Sequence, residues 1–487
     1  MYLDPNEVIW IVALAFIVAF FLAFGVGAND VANSFGTSVG SGVLTLKQAC
    51  IMATIFEILG ACLLGYRVSD TVRKGIFDIA IYEDDEKTLM LGNLAALCGS
   101  AMWNIIATAF RLPVSGTHSI VGAVVGFSLV ARGFSGINFR GLLKIVASWF
   151  ISPVLSGLLS ASIFYCIRRY IISQKNGFDI GLRALPHIYG ATIFINVLSL
   201  VLDGPPLLKF DRIPGWAAAA ISFLIASCVG FAVWKWYVPK LRTQIQTDEE
   251  QADALTEPNK SSQATSDPQL NVDLITGTKT TNGITKSASA ASSAAMHAAP
   301  PTAKTSELLL QPPKPPKEKP EVARLFSFLQ ILTAVFGSFA HGGNDVANAV
   351  GPLVAVWLIY TDGSVQQTSP TPFWVLLYGG IGISAGLWIW GKRVIQTIGN
   401  DLTKVTPTNG FSIEIGAAST VLLASKLGIP ISTTHCKVGS IVFVGCTRNQ
   451  QNVDWILFRG IVAAWLLTLP VTCALTAAIM AVLMQIG

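Results

Sequence analysis

The sequence predicts an all-α polytopic membrane protein: about 12 transmembrane helices in an inverted-topology repeat, with two helical hairpins and broken helices at a midplane site. Three observations lead there. The 487 residues are 52% hydrophobic and 13% charged, with a mean hydropathy of +0.57, whereas globular chains carry about 25% charged residues. Apolar runs of spanning length recur along most of the chain. One heptad also occurs twice, as Gly27-Ala28-Asn29-Asp30-Val31-Ala32-Asn33 and Gly342-Gly343-Asn344-Asp345-Val346-Ala347-Asn348. Each copy ends a long apolar run, where an ionisable group is costly enough to mark a functional site. Two copies point to one site built from two halves.

The net charge of +5 and the pI near 8.7 are modest, and the basic residues cluster in loops. That leaves no nucleic-acid footprint. Cys50, Cys62, Cys98, Cys166, Cys228, Cys436, Cys446 and Cys473 form no C-x-x-C pair and read as small buried hydrophobes. The N-terminal apolar run lacks a basic n-region and a small-residue cleavage pattern, so it reads as a retained first helix rather than a signal peptide.

A spanning helix needs about 20 mostly apolar residues. In order, the segments are Val8–Val26, Ala49–Tyr66, Leu89–Phe110, Ile120–Ala131, Leu142–Ile167, Ile188–Leu202, Trp216–Val238, Leu325–Ala340, Phe373–Trp390, Phe411–Leu427, Val438–Cys446 and Ile456–Met484. The stretch Gln246–Lys319 is rich in Ser, Thr, Ala and Pro and ends in Pro312-Pro313-Lys314-Pro315-Pro316-Lys317. Such a stretch buries too little apolar area to offset its ordering entropy. The expected organisation is a first transmembrane repeat over 1–172, two further transmembrane helices over 173–240, a disordered cytosolic loop over 241–322, and a second, inverted repeat over 323–487.

The repeat extends beyond the heptads. Pro113-Val114-Ser115-Gly116-Thr117-His118 matches Pro430-Ile431-Ser432-Thr433-Thr434-His435, and Val146-Ala147-Ser148-Trp149 with Pro153 matches Val462-Ala463-Ala464-Trp465 with Pro470. The first helix pairs with the eighth, an odd offset, so equivalent helices cross in opposite senses. Loop charges agree. The acidic loop Asp78–Glu86 faces out, its counterpart with Lys392, Arg393 and Lys404 faces in, and Arg168, Arg169, Lys175, Arg183, Lys235, Lys240 and Arg242 also fall inside. Both termini are then extracellular and the long loop cytosolic, leaving the sequon Asn259-Lys260-Ser261 without a glycan.

Glycines before each Asn-Asp pair predict a broken helix, which frees carbonyls beside hard oxygen ligands suited to a small cation such as Na⁺. A plain helix cap is the alternative use of those residues. In the second motif pair, Pro and Ser/Thr suit a helix start, so each copy reads as a hairpin tip. Its hydroxyls and helix N-terminus can bind an oxyanion; the alternative is a polar surface loop. His118 and His435 follow the tips and read as helix-turn caps more readily than as metal ligands, since no other His or Cys stands at ligand spacing. Glu57 and Glu414 break the symmetry, with Ile383 and Leu97 at the equivalent positions. Unpaired membrane carboxylates invite a cation- or proton-coupling role.

The duplicated Asn-Asp heptads and P-x-S-x-T-H hexapeptides resemble those of the PiT-type inorganic phosphate transporters, and the long loop between helices seven and eight resembles their animal, sodium-coupled branch. The resemblance covers all of the chain but the loop. It implies sodium-phosphate symport by alternating access at the plasma membrane, in a homodimer, with no enzyme activity and no cofactor beyond co-transported Na⁺. By that resemblance phosphate sits near Asp30, Asn33, Ser115, Gly116, Thr117, Asp345, Asn348, Ser432, Thr433 and Thr434. Sodium sits near Asn29, Asp30, Asn33, Asn344, Asp345 and Asn348, with Glu57, Glu414, His118 and His435 as coupling candidates. A carboxylate beside an anion is repulsive, so sodium lies between them or the carboxylates accept hydrogen bonds from H₂PO₄⁻. A proton-coupled phosphate symporter and a phosphate-sensing receptor with little flux are the competing expectations; a hydrolase lacks its nucleophile or metal constellation.

Overall fold

The computed structural model describes residues 5–202, 210–256, 318–448 and 453–486. The chain divides into a membrane unit, Met1–Arg242 with Lys317–Gly487, and a unit of its own over Thr243–Pro316. The helices are α1 (Pro5–Asp30), α2 (Ala32–Gly40), α3 (Leu46–Lys74), α4 (Glu86–Ala109), α5 (Gly116–Arg132), α6 (Phe139–Ile167), α7 (Gly177–Val201), α8 (Gly215–Ala232) and α9 (Val238–Thr256). They continue as α10 (Pro320–Asp362), α11 (Phe373–Trp390), α12 (Lys392–Gln396), α13 (Pro407–Lys426), α14 (Thr433–Arg448) and α15 (Trp455–Ile486).

Every expected apolar segment falls on a helix, but ten helices among the described residues are long and apolar enough to cross a membrane. The shortfall from about twelve lies in α13 and α14. The 16 residues of α14 rise about 24 Å at ~1.5 Å per residue, short of a ~30 Å hydrocarbon core. Helix α13 carries Glu414 among several Thr, Ser and Asn residues. Both belong to a hairpin enclosed by other helices, where full apolar length is not required.

Two expectations are corrected. Only the first heptad interrupts its helix, and for a single residue, Val31, which keeps near-helical angles (φ −64, ψ −19). Helix α10 runs unbroken through the second. The glycines serve close packing instead of breakage. A Cβ on Gly27 would lie 1.9 Å from the Ile383 carbonyl oxygen, and one on Gly342 would lie 2.3 Å from that of Glu57. Small residues at helix crossings let backbones touch in this way. The loop is also shorter than 241–322. Helix α9 carries the chain to Thr256 on good helix formers (Leu, Arg, Gln, Glu, Ala), and α10 starts at Pro320. The stretch 257–317, with the sequon at Asn259, lies outside the described residues.

The repeated elements interlock. Helix α1 packs on α11 and α10 on α3, so the first helix of each half rests on the second helix of the other. The hairpin α4–α5 packs against α15, and the hairpin α13–α14 against α6. Two isolated bridges stand one within each half, Phe77 with Ile137 and Thr403 with Val453. Helices α7 and α8 have no counterpart in the second half and pack chiefly on each other.

Candidate functional site

Ser115 caps α5: in an extended conformation (φ −100, ψ 118), its Oγ accepts from the His118 backbone N–H at 3.2 Å. Ser432 does the same for His435 at 3.1 Å. With the acceptor role of each hydroxyl filled by its cap, its O–H remains available to donate. The first-turn N–H groups of two helices thus open beside hydroxyl donors, the arrangement that binds oxyanions.

The two tips lock across the halves. Thr117 Oγ1 donates to the Ile431 carbonyl at 2.9 Å, and Thr434 Oγ1 sits 3.1 Å from the Val114 carbonyl. The heptads hold them there. Asn33 Nδ2 donates to Thr434 Oγ1 at 2.9 Å, and Asn348 Nδ2 to Thr117 Oγ1 at 2.9 Å. These contacts are reciprocal, each residue of one half repeating the contact of its counterpart in the other. Asn29 ties down its own hairpin: Nδ2 donates to Thr108 Oγ1 and the Leu112 carbonyl, and Oδ1 accepts from Val114 N–H. Asn344 Nδ2 donates to the Ile431 carbonyl at 3.0 Å.

Both aspartates are buried in this assembly. Asp30 Oδ1 accepts from Thr434 Oγ1 at 3.0 Å. A Cβ on Gly116 would lie 2.8 Å from Asp30 Oδ2, so the bare backbone there is what admits the carboxylate. The equivalent position holds Thr433, whose hydroxyl donates to Asp345 Oδ1 at 3.2 Å. Four buried oxygens nearby have no hydrogen-bond partner: Asn33 Oδ1, Asn344 Oδ1, Asn348 Oδ1 and Asp345 Oδ2. Each such atom costs about 1–3 kcal/mol. A set of hard, unpaired oxygens suits a small hard cation. Asp30 and Asp345 bring two buried carboxyl groups to one site. Buried like charges left uncompensated are expensive, and a cation relieves them.

His118 and His435 do not reach the aspartates. They stack on Trp149 and Trp465, with centroids 3.7 and 3.8 Å away, and meet each other edge to face at 4.4 Å. His435 Nδ1 lies 3.0 Å from the Trp149 carbonyl, an acceptor whose helical donor Pro153 has removed, so this nitrogen carries the proton. The pair clamps the two hairpins beneath their tips; the caps are Ser115 and Ser432.

The comparisons with known proteins bear on this geometry directly. The sequence profile of the Phosphate transporter family matches residues 26–476, a span that contains both heptads and both hairpin tips. The chain belongs to the phosphate transporter family. It is 40% identical to sodium-dependent phosphate transporter 1-A of Danio rerio over 98% of this chain and 95% of that one. It is also 40% identical to sodium-dependent phosphate transporter 2 of Bos taurus over 99% of each. A solved structure described as the sodium-dependent phosphate transporter superposes with a TM-score of 0.76 at 34% identity, covering 98% of this chain and 100% of that one.

One flank of the transporter's site departs from this reciprocity. Glu57 Oε1 accepts from Ser34 at 2.9 Å and Ser338 at 3.1 Å, while Oε2 has no partner. Glu414 accepts from Thr37 at 2.6 Å, Ser38 at 2.7 Å and Thr333 at 3.1 Å. Lys437 is buried on α14 without an ion pair to Glu414 within 4 Å, and His341 Nδ1 lies 3.1 Å from Ser34 Oγ. At the positions equivalent to Glu57, Glu414, Lys437 and His341 stand Ile383, Leu97, Ile120 and Val26. The polar flank therefore has an apolar twin. Sequence reasoning singled out the two glutamates and missed Lys437, His341 and the hydroxyls. The signal was present: a lysine two residues past a hairpin motif, at the very edge of an apolar run, is costly in a membrane. Ser34, Thr37 and Ser38 likewise stand at helical spacing beyond the first heptad.

Proposed function

We propose that the chain is a sodium-coupled phosphate symporter that works by alternating access. The observation that carries this reading is the meeting of Asp30 and Asp345 with the N-termini of α5 and α14 in one buried site. Phosphate binds between the two tips, on first-turn N–H groups at Gly116, Thr117, Thr433 and Thr434 and on the free O–H groups of Ser115 and Ser432; the hydroxyls of Thr117, Thr433 and Thr434, which donate to Ile431, Asp345 and Asp30, would turn from those acceptors to reach it. The carboxylates of Asp30 and Asp345 would repel it. Sodium held by them, with the Asn33, Asn344 and Asn348 side-chain oxygens, reverses that sign, so each ion raises the affinity for the other by the same factor. Asn29, whose amide is engaged with its own hairpin, acts as support for the cation site. Each net positive charge moved inward adds about 2.3 kcal/mol per 100 mV of membrane potential.

In this reading a two-fold axis lies in the membrane plane, making the repeat an inverted one, and each hairpin gates one side around the shared site. The termini are extracellular, the residues between α9 and α10 cytosolic, and the protein a homodimer of the plasma membrane. Glu57, with one unpaired oxygen, serves coupling; Glu414, held by the hydroxyls of Thr37, Ser38 and Thr333, serves as a fixed carboxyl group. His118 and His435 serve hairpin geometry.

The test is uptake of radiolabelled phosphate into proteoliposomes with an imposed sodium gradient. Concentrative uptake that collapses when choline replaces sodium at fixed pH is the expected result. Uptake that persists in choline and follows a proton gradient would replace sodium by protons as the driver. Binding of phosphate without flux would make the protein a sensor.

A further inference from the structure

Helices α7 and α8 stand outside the repeat and contribute nothing to the site, yet they are built around a cavity of their own. Their backbones approach closely: a Cβ on Gly230 would lie 3.2 Å from the Pro186 carbonyl, and one on Gly190 would lie 3.5 Å from that of Ala226. Beside this seam runs a groove of about 890 Å³, walled by Phe194, Phe223, Phe231 and Trp234. One end is basic. Arg183 and His187, exposed on successive turns of α7, line it together with Arg242, which is paired at 2.5 Å with Asp179. Lys235 lies against Phe231 and Trp236 at the same end.

Depth and length both match one lipid leaflet. Trp234 and Trp236 are exposed beside Lys235, the aromatic-plus-lysine signature of the headgroup boundary. From Arg183 to Phe194 the helix rises about 16 Å at ~1.5 Å per residue, roughly half of a ~30 Å hydrocarbon core. The groove thus begins with cationic side chains at headgroup level and continues as an aromatic wall to about mid-membrane.

We propose that this groove is a binding site for one anionic phospholipid, its phosphate held by Arg183 and His187 and one acyl chain laid along Phe194 and Phe223. Arg offers forked donors that match a phosphate, and basic pockets between transmembrane helices select acidic headgroups. The apolar walls alone would take any lipid; the basic rim selects charge. The orientation proposed above makes the leaflet the cytosolic one. The site itself does not depend on that orientation or on the transported ions.

Native mass spectrometry of the full-length protein, titrated with mixed micelles of either phosphatidylserine or phosphatidylcholine, tests it. The expected result is one phosphatidylserine retained at least tenfold better than phosphatidylcholine, with Arg183→Gln/His187→Gln reduced to the phosphatidylcholine level. Ala191→Trp, which fills the groove and spares the rim, should lower retention of both lipids. Equal retention of the two lipids by the wild-type protein, or no change in the double variant, would overturn the proposal. So would capture of a second copy by a short bis-maleimide at Cys228, an exposed residue next to the groove-lining Ser227, because the groove would then be covered by protein. Phosphate uptake by the same variants reports separately on transport and leaves the two proposals distinguishable.

Discussion

Asn33 reaches from the first heptad to Thr434 at the opposite hairpin tip, Nδ2 to Oγ1 at 2.9 Å, and that same hydroxyl donates to Asp30 at 3.0 Å. One threonine therefore ties a heptad of one half to a hairpin of the other through two hydrogen bonds.

Thr434→Val keeps the shape of the side chain and removes both bonds. At about 1 kcal/mol for each, the phosphate KM in proteoliposome uptake should rise about tenfold or more, with Thr434→Ser restoring most of the loss. Unchanged KM would take the hydroxyl out of the site.

Asp30→Asn and Asp345→Asn remove charge with little change of volume. Each should abolish sodium-driven uptake while the protein still elutes as a folded species from size-exclusion chromatography. A wild-type rate in either variant would remove the carboxylates from coupling.

Gly116→Ala places a methyl group 2.8 Å from Asp30 Oδ2. Overpacking of this kind typically costs 1–3 kcal/mol, here mainly by turning the carboxylate out of position. The expected outcome is a loss of apparent sodium affinity, read from uptake against sodium concentration, larger than any shift in thermal unfolding.

Much of this architecture is legible in the chain because it is written twice. The hairpin tips follow from Pro and Ser at a helix start, and Ser115 and Ser432 cap as expected. The glycines of the heptads misled for a physical reason: weakening a helix and admitting a neighbouring backbone call for the same missing Cβ, and only the crossing with Ile383 and Glu57 tells them apart. The partners of Glu57 and Glu414 were out of reach for another reason. Thr333 lies 81 residues from Glu414 and Ser338 281 residues from Glu57 along the chain, on a stretch of α10 that reads as an ordinary apolar span. Lys437 was legible in principle, as a single charge between a hairpin motif and the hydrophobic run Val438–Cys446.

The crossed seating of the hairpins reaches into how the protein is made. Helix α5 rests on α15, and Gly122 abuts the Leu469 backbone, yet about 320 residues of translation separate the two helices. At roughly 10 residues per second, the first hairpin waits about half a minute in the membrane with its small-residue face uncovered. Biogenesis must hold that nascent face apart from foreign helices until the last span arrives, so truncation anywhere before Trp455 should yield an unassembled chain marked for degradation rather than a half-active one.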